Sequence, residues 1–229
     1  MLDLISRKLK LITILTTFAI GLSACASGPK IPTSEALVTS AARTLNILKN
    51  RADLERFNSQ LKKAAGVAIF PSVYKVGFFV GAEGGNGLLI AKNKNGDWGY
   101  PAFYTLASGS WGLQFGGQKS GVILIIRSPA AVAALMKHQG KFSADAGIAV
   151  GTVGTGIEGS VTSNLGADII AYSDSKGLFG GVSLEGSAIV RRNDLNSEYY
   201  GGAVEPRAIL IDHAHQNAQA NVLRQNLSE

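Results

Sequence analysis

From Val67 onward the apolar residues recur with a period of two, and glycines are threaded through them at Gly77, Gly81, Gly112, Gly116, Gly117, Gly151 and Gly181. Period two is the signature of strands whose faces differ. Glycine inside a strand weakens a flat sheet but permits bends and close strand approach in a curved one. The excess is real, with 28 glycines in 229 residues, about 12% against a usual share of roughly 7%. Six prolines and the lack of a three-residue glycine period exclude a collagen-like chain. The strands are not separated by regular helices of 10–15 residues, which argues against a doubly wound parallel sheet. The expectation is a β-rich α+β fold: a curved, partly closed antiparallel sheet or barrel, with N-terminal helices and short helices packed on it.

Individual segments sharpen that expectation. Leu37, Ala41, Leu45 and Leu48 recur at helical spacing from Ser34, with Glu35 early and Lys49 and Arg51 late, as the helix dipole favours. A second helix is predicted from Asp53 as N-cap through Leu54, Phe57 and Leu61 to Lys62 and Lys63, stopping at Gly66. Val67–Phe70 bounded by Pro71, Val73–Ala82, Leu88–Ala91 and a return strand through Trp98 and Tyr104 follow, with Asn95-Gly96 as the hairpin turn. The run Gly121–Arg127 (GVILIIR) reads as a strand buried on both faces. Ser128 and Pro129 cap and start a short helix ending near His138 and Gly140. Further strands are predicted at 146–151, 156–162, 167–173 and 178–190, and a weaker helix at 214–226.

The N-terminus has the pattern of a targeting segment. Arg7, Lys8 and Lys10 precede an apolar stretch from Leu11 to Leu22, long enough for a signal core and short for a membrane span. Leu22-Ser23-Ala24-Cys25 resembles a bacterial lipobox, and Cys25 is the one cysteine of the chain. Residues 1–24 are therefore expected to be a lipoprotein signal peptide and Cys25 the acylated residue. Removing that segment takes away three bases and one acid and leaves a mature charge of +4. Residues 25–33, with Pro29 and Pro32, form an extended tether. Ala26 rather than Asp follows Cys25, which favours an outer-membrane anchor with the domain facing the periplasm.

Catalytic and cofactor motifs are scarce. Gly154–Gly159 fits G-x-G-x-x-G but opens no helix and sits in no βαβ unit. His213-Ala214-His215 is the nearest approach to a metal pair, yet residues two apart diverge on a helix. One cysteine excludes a multi-cysteine metal site within the chain and a disulfide framework. No catalytic residue, metal, cofactor or nucleic-acid partner is expected, and the chain reads as a binding protein rather than an enzyme.

A more specific signal runs through the middle. Lys63-Ala64-Ala65-Gly66-Val67-Ala68-Ile69-Phe70-Pro71, then Gly77-Phe78 and Gly81, resembles the opening of the SYLF domain, a lipid-binding family related to eukaryotic actin-patch regulators. The resemblance continues at Trp98, Pro101-Ala102-Phe103-Tyr104, Gly109–Gly117, Phe142–Ala146, Tyr172–Gly186 and Tyr199-Tyr200-Gly201. It covers residues 34–202 and leaves 203–229 as a C-terminal, helical extension. It implies a module that recognises acidic phospholipid, phosphoinositide in eukaryotic members, through basic residues and an amphipathic N-terminal helix. Here the helix at 34–50 takes that place and supplies Arg43 and Lys49. Lys62, Lys63, Lys75, Lys119, Lys141 and Lys176 are the other candidates for phosphate contact. The expected partners are membrane phospholipid and, through Cys25, the bacterial membrane itself. The alternative is a structural or protein-interaction module of the cell envelope.

Overall fold

The computed structural model describes residues 33–52, 54–137, 150–153, 168–174 and 187–229; for 55, 75–81, 109–118, 137 and 150–153 the description is of the backbone. Thr33–Glu229 forms one compact unit with a core of its own. It opens with helix α1 (Ser34–Lys49), whose first turn is capped by the Thr33 hydroxyl accepting from the Ala36 N–H. Leu37, Val38, Ala41, Ala42, Leu45 and Leu48 make its inward stripe, all buried, while Ile47 faces out. Helix α2 (Glu55–Lys63) follows. Its expected cap, Asp53, lies outside the described residues, and Leu54 precedes the helix with no side-chain cap. Phe57 and Leu61 are buried, Phe57 edge-on to Tyr172 at 4.9 Å.

Strands β1 (Gly66–Ala91), β2 (Ala102–Ile126), β3 (Val150–Val153), β4 (Ile169–Ser173) and β5 (Ala188–Arg191) form one sheet, ordered β1-β2-β4-β3 with β5 also on β2. β1 and β2 are antiparallel from Gly66↔Ile126 to Leu89↔Ala102, around the Asn95-Gly96 turn that the sequence predicts. In that turn the Asn93 side chain accepts from the Asn95 and Asp97 amides, and Gly96 takes φ +88°. Pro71 does not end the strand as expected. The ladder skips from Phe70 to Val73, so the residue without an N–H sits at an irregularity where no donor is needed.

β1 also doubles back on itself. The Ala65 N–H donates to the Ile126 carbonyl at 2.8 Å, and the Ala65 carbonyl accepts from the Lys92 N–H at 2.8 Å, so this end of β1 has a strand on either side. Gly85 lies against the backbone of Ser72, and Gly87 against Ile69. The chain therefore reverses between Val73 and Gly85, and β2 wraps this inner hairpin on both flanks.

Both faces of the sheet are covered. Val67, Ile69, Leu88, Ile90, Phe103, Ile123 and Ile125 share one cluster with α1, α2 and the C-terminal helix. Ala68, Phe70, Leu89, Ala102, Tyr104, Val122, Leu124 and Ile126 share another with helices α3 (Pro129–Lys137) and α5 (Pro206–Leu210). The strict alternation puts neighbours on opposite faces, which is why GVILIIR reads as continuously apolar: Val122–Ile126 are all inaccessible to solvent. Ser128 accepts from the Ala131 N–H, as its N-cap reading requires.

The β-rich α+β class and the curved, largely antiparallel sheet hold, with two departures. The β3–β4 pair is parallel, and among the described residues no ladder joins the edges, so the sheet is open rather than a closed barrel. Helices α4 (Asn193–Tyr200) and α5 were not predicted. α4 is mostly polar and buries only Leu195, Asn196 and Tyr199, too few apolar positions to give a periodic signal. At the C-terminus a 3-10 turn (Ala218–Ala220) leads into α6 (Asn221–Ser228), whose Leu223 and Leu227 enter the α1 cluster. The predicted strand at 156–162 lies outside the described residues.

Candidate functional site

The basic residues singled out in the sequence fall at opposite ends of the long ribbon. At the closed end, α2 delivers Lys62 and Lys63 in its last turn, both exposed, where positive charge opposes the helix dipole. The Asn95-Gly96 turn lies beside them. Lys92 Nζ donates to the Lys62 carbonyl at 2.9 Å and sits 4.8 Å over the Trp98 ring. Partial burial lowers the Lys92 pKa below the usual lysine range. Lys94, also exposed, completes a corner with four lysines and Asp97, which accepts from the Asn93 amide. Lys92 is thereby a structural cation: it closes a free carbonyl at the end of α2.

Lys49 has the same kind of task. Its Nζ donates to the Asn226 carbonyl in α6 at 2.8 Å, so the side chain ties α1 to the last helix. Arg43 remains exposed on α1. The apolar stripe of that helix is spent on the core, so α1 offers an outside surface its charges and Ile47 rather than a continuous apolar face.

At the other end of the ribbon, Tyr74 and Lys119 are register partners on β1 and β2. Tyr74 is 52% exposed and Lys119 Nζ lies 5.6 Å over its ring. Lys75 is at the next rung, opposite Gln118. Lys141, Lys176 and Cys25 lie outside the described residues. Ion pairs among the described residues join arginines to carboxylates, as in Arg191–Glu205, Arg192–Asp194 and Arg207–Asp212. Lys62, Lys63, Lys94 and Lys119 join no described carboxylate.

Sequence reasoning missed two polar features. Arg192 holds Asp194 through both oxygens, at 2.8 and 2.6 Å, and reaches Asn86 Oδ1 at 2.7 Å. That grip holds the Asp194 carboxyl at about 2, below its ordinary value. The effect is to fasten α4 to β1. The second is an open groove lined by Asn93, Asp97, Trp98, Tyr100, Arg224 and Ser228, in which Arg224 donates to the Trp98 carbonyl and Tyr100 hydroxyl and stacks on the Tyr100 ring at 4.3 Å. Neither carries a periodic or motif signal, because the partners are up to 126 residues apart. Among the described residues no cluster of three or more His, Cys, Asp or Glu could hold a metal ion. Nor is any described helix long and apolar enough to cross a membrane.

Residues 107–229 match the family described as "Ysc84: Las17-binding protein actin regulator", and the chain belongs to it. The match includes 203–229, in keeping with the packing of α6 in the core. The chain is 31% identical over 210 residues to SH3 domain-containing YSC84-like protein 1 of Rattus norvegicus, covering 86% of this chain and 60% of that protein. It is 32% identical over 201 residues to the Homo sapiens protein of the same name, covering 84% and 58%. Protein YSC84 of Saccharomyces cerevisiae is 33% identical over 153 residues, 66% of this chain and 32% of that one. The chain thus spans at most about three fifths of these relatives.

Proposed function

We propose that the Thr33–Glu229 unit is a non-catalytic membrane module that binds acidic phospholipid of phosphoinositide-like charge. In the intact chain, acyl chains on Cys25 tether it to the outer membrane with the domain in the periplasm. The observation that carries the lipid reading is exposed lysine without a described carboxylate partner at each end of the ribbon, Lys62, Lys63 and Lys94 at one end and Lys119 at the other, either of which could face an anionic surface. Each such cation near an anionic surface contributes about 1 kcal/mol and is screened within about a Debye length. A few of them give reversible, salt-sensitive association, while permanence would come from acyl chains at about 0.8 kcal/mol per buried CH₂.

The test is flotation of the Thr33–Glu229 unit with phosphatidylcholine vesicles and with vesicles containing 30% phosphatidylglycerol, at low and high salt. Binding confined to the anionic vesicles and lost at high salt supports the reading. Equal binding to both, or none to either at low salt, overturns it. The family is described by Las17 binding and actin regulation, so a domain that fails the flotation test is better read as a protein-interaction module of the envelope.

A further inference from the structure

We infer that the end of the β1–β2 ribbon, residues 75–81 with 109–118, is the element that enters the membrane, with Lys75 and Lys119 at its base on the anionic headgroups. This rests on the lipid reading above and says which part of the domain makes the contact. The register sets Val76 opposite Gly117, Phe79 opposite Gly112 and Val80 opposite Trp111. With Phe78, Leu113 and Phe115, the two stretches carry seven large apolar residues and no carboxylate.

Three physical features favour a lipid occupant. Most of the backbone of both stretches is already strand-paired, the register breaking at Phe78 and Leu113–Phe115, which lowers the cost of bringing this end into the interfacial layer of a membrane. At the base, an exposed Tyr74 under the Lys119 ammonium is the aromatic-and-cation chemistry of a membrane–water boundary, where ring and long stem sit in the apolar layer and the charge stays wet. Charge also separates lipid from a second copy of the chain. Two ribbon ends meeting would oppose Lys75 and Lys119 with their counterparts, whereas an anionic surface neutralises them.

Geometry then excludes the lysine corner from the same contact. From the Gly66↔Ile126 rung beside Lys62 and Lys63 to the Lys75↔Gln118 rung there are nine residues of β1, about 30 Å of strand. A flat bilayer met by one end is beyond reach of the other. The corner's Lys92 is moreover committed to the α2 carbonyl.

The experiment uses the Thr33–Glu229 unit and phosphatidylglycerol-containing vesicles whose acyl chains carry bromine, a short-range quencher of tryptophan. The chain has two tryptophans: Trp98 is buried at the closed end under α6, and Trp111 belongs to the ribbon. On binding, the wild-type protein loses a third or more of its emission and the Trp111→Phe variant loses almost none. Phe79→Ser weakens binding about tenfold, or 1.4 kcal/mol, which is half or so of a fully buried ring. Lys75→Glu with Lys119→Glu weakens it at least about tenfold, and Lys62→Glu with Lys63→Glu changes it by less than about threefold. Vesicle binding without quenching, or loss of binding in the Lys62/Lys63 variant alone, overturns the inference and leaves the lipid reading standing. Absence of binding by the wild type ends both. A Phe79→Ser change that turns an oligomer into a monomer in lipid-free solution, with Trp111 unquenched, makes the ribbon end a contact between copies and also overturns it.

Discussion

Gly85→Ala tests the doubled-back course of β1 directly. A Cβ at this position would stand 2.9 Å from the Ser72 carbonyl carbon, 3.0 Å from Val73 Cα and still closer to the Ser72 oxygen. These are backbone atoms, so no rotamer change relieves the collision and the two halves of β1 must move apart. Overpacking of this kind costs about 1–3 kcal/mol, more where backbone shifts, and separating the strands adds about 1 kcal/mol for each ladder bond weakened. Against that, alanine removes unfolded-state freedom worth about 0.4–1 kcal/mol. The net is about 3 kcal/mol of destabilisation, which for a unit this size lowers Tm by about 6–12 °C. Gly202→Ala is the control, since nothing lies within 4 Å of its Cβ position, and its Tm should move by less than about 2 °C. Thermal unfolding of both variants, followed by circular dichroism, decides the matter. A Gly85→Ala Tm within 2 °C of wild type would refute the side-by-side arrangement.

Lys49→Met should remove the tie between α1 and the α6 carbonyl, costing about 1 kcal/mol and about 2–4 °C in Tm; an unchanged Tm would deny Lys49 its structural task. His213 is held below the ordinary histidine pKa, by burial first and against the pull of Asp212. The folded state then binds the proton less readily than the unfolded one, so stability is full above about pH 6.5 and falls as pH drops below it. His213→Asn, which suits the φ of +51° there, should flatten Tm between pH 7 and 5.5, and an equal slope in the variant would remove His213 as the cause. Cys25→Ser in the full chain should abolish labelled palmitate incorporation; retained label would sink the acylation proposal.

The class of fold was legible because the two helices and the alternating strands are local signals. Leu37, Ala41, Leu45 and Leu48 needed only helical geometry, and Val122–Ile126 only the knowledge that a strand apolar at every position has both faces covered. Pro71 misled because a bulge is a property of the pair, not of one strand. The parallel β3–β4 pair and the doubling of β1 are long-range choices, and a strand's own sequence does not name its neighbour. The site was less legible. Charge at Lys49 and Lys92 is visible in sequence, but whether a lysine caps a helix or waits on the surface depends on a carbonyl 177 residues away for Lys49 and 30 residues away for Lys92.

Covering both faces of a sheet has a functional consequence. Among the described residues the sheet is covered by α1, α2 and α6 on one side and α3 and α5 on the other, which leaves its ends and edges as the parts open to a partner. The segments that carry the family resemblance divide along that line. Pro101-Ala102-Phe103-Tyr104 lies wholly in the interior, where it fixes the rung opposite Leu88 and Leu89. Gly77-Phe78, Gly81 and Gly109–Gly117 lie instead on the ribbon end, where glycine lets strands bend and approach and aromatic residues recur. The interior block explains a shared fold, whereas an aromatic, carboxylate-free ribbon end has no such need to be what it is. Its composition fits the contact proposed above, in which that end meets an apolar phase bounded by negative charge.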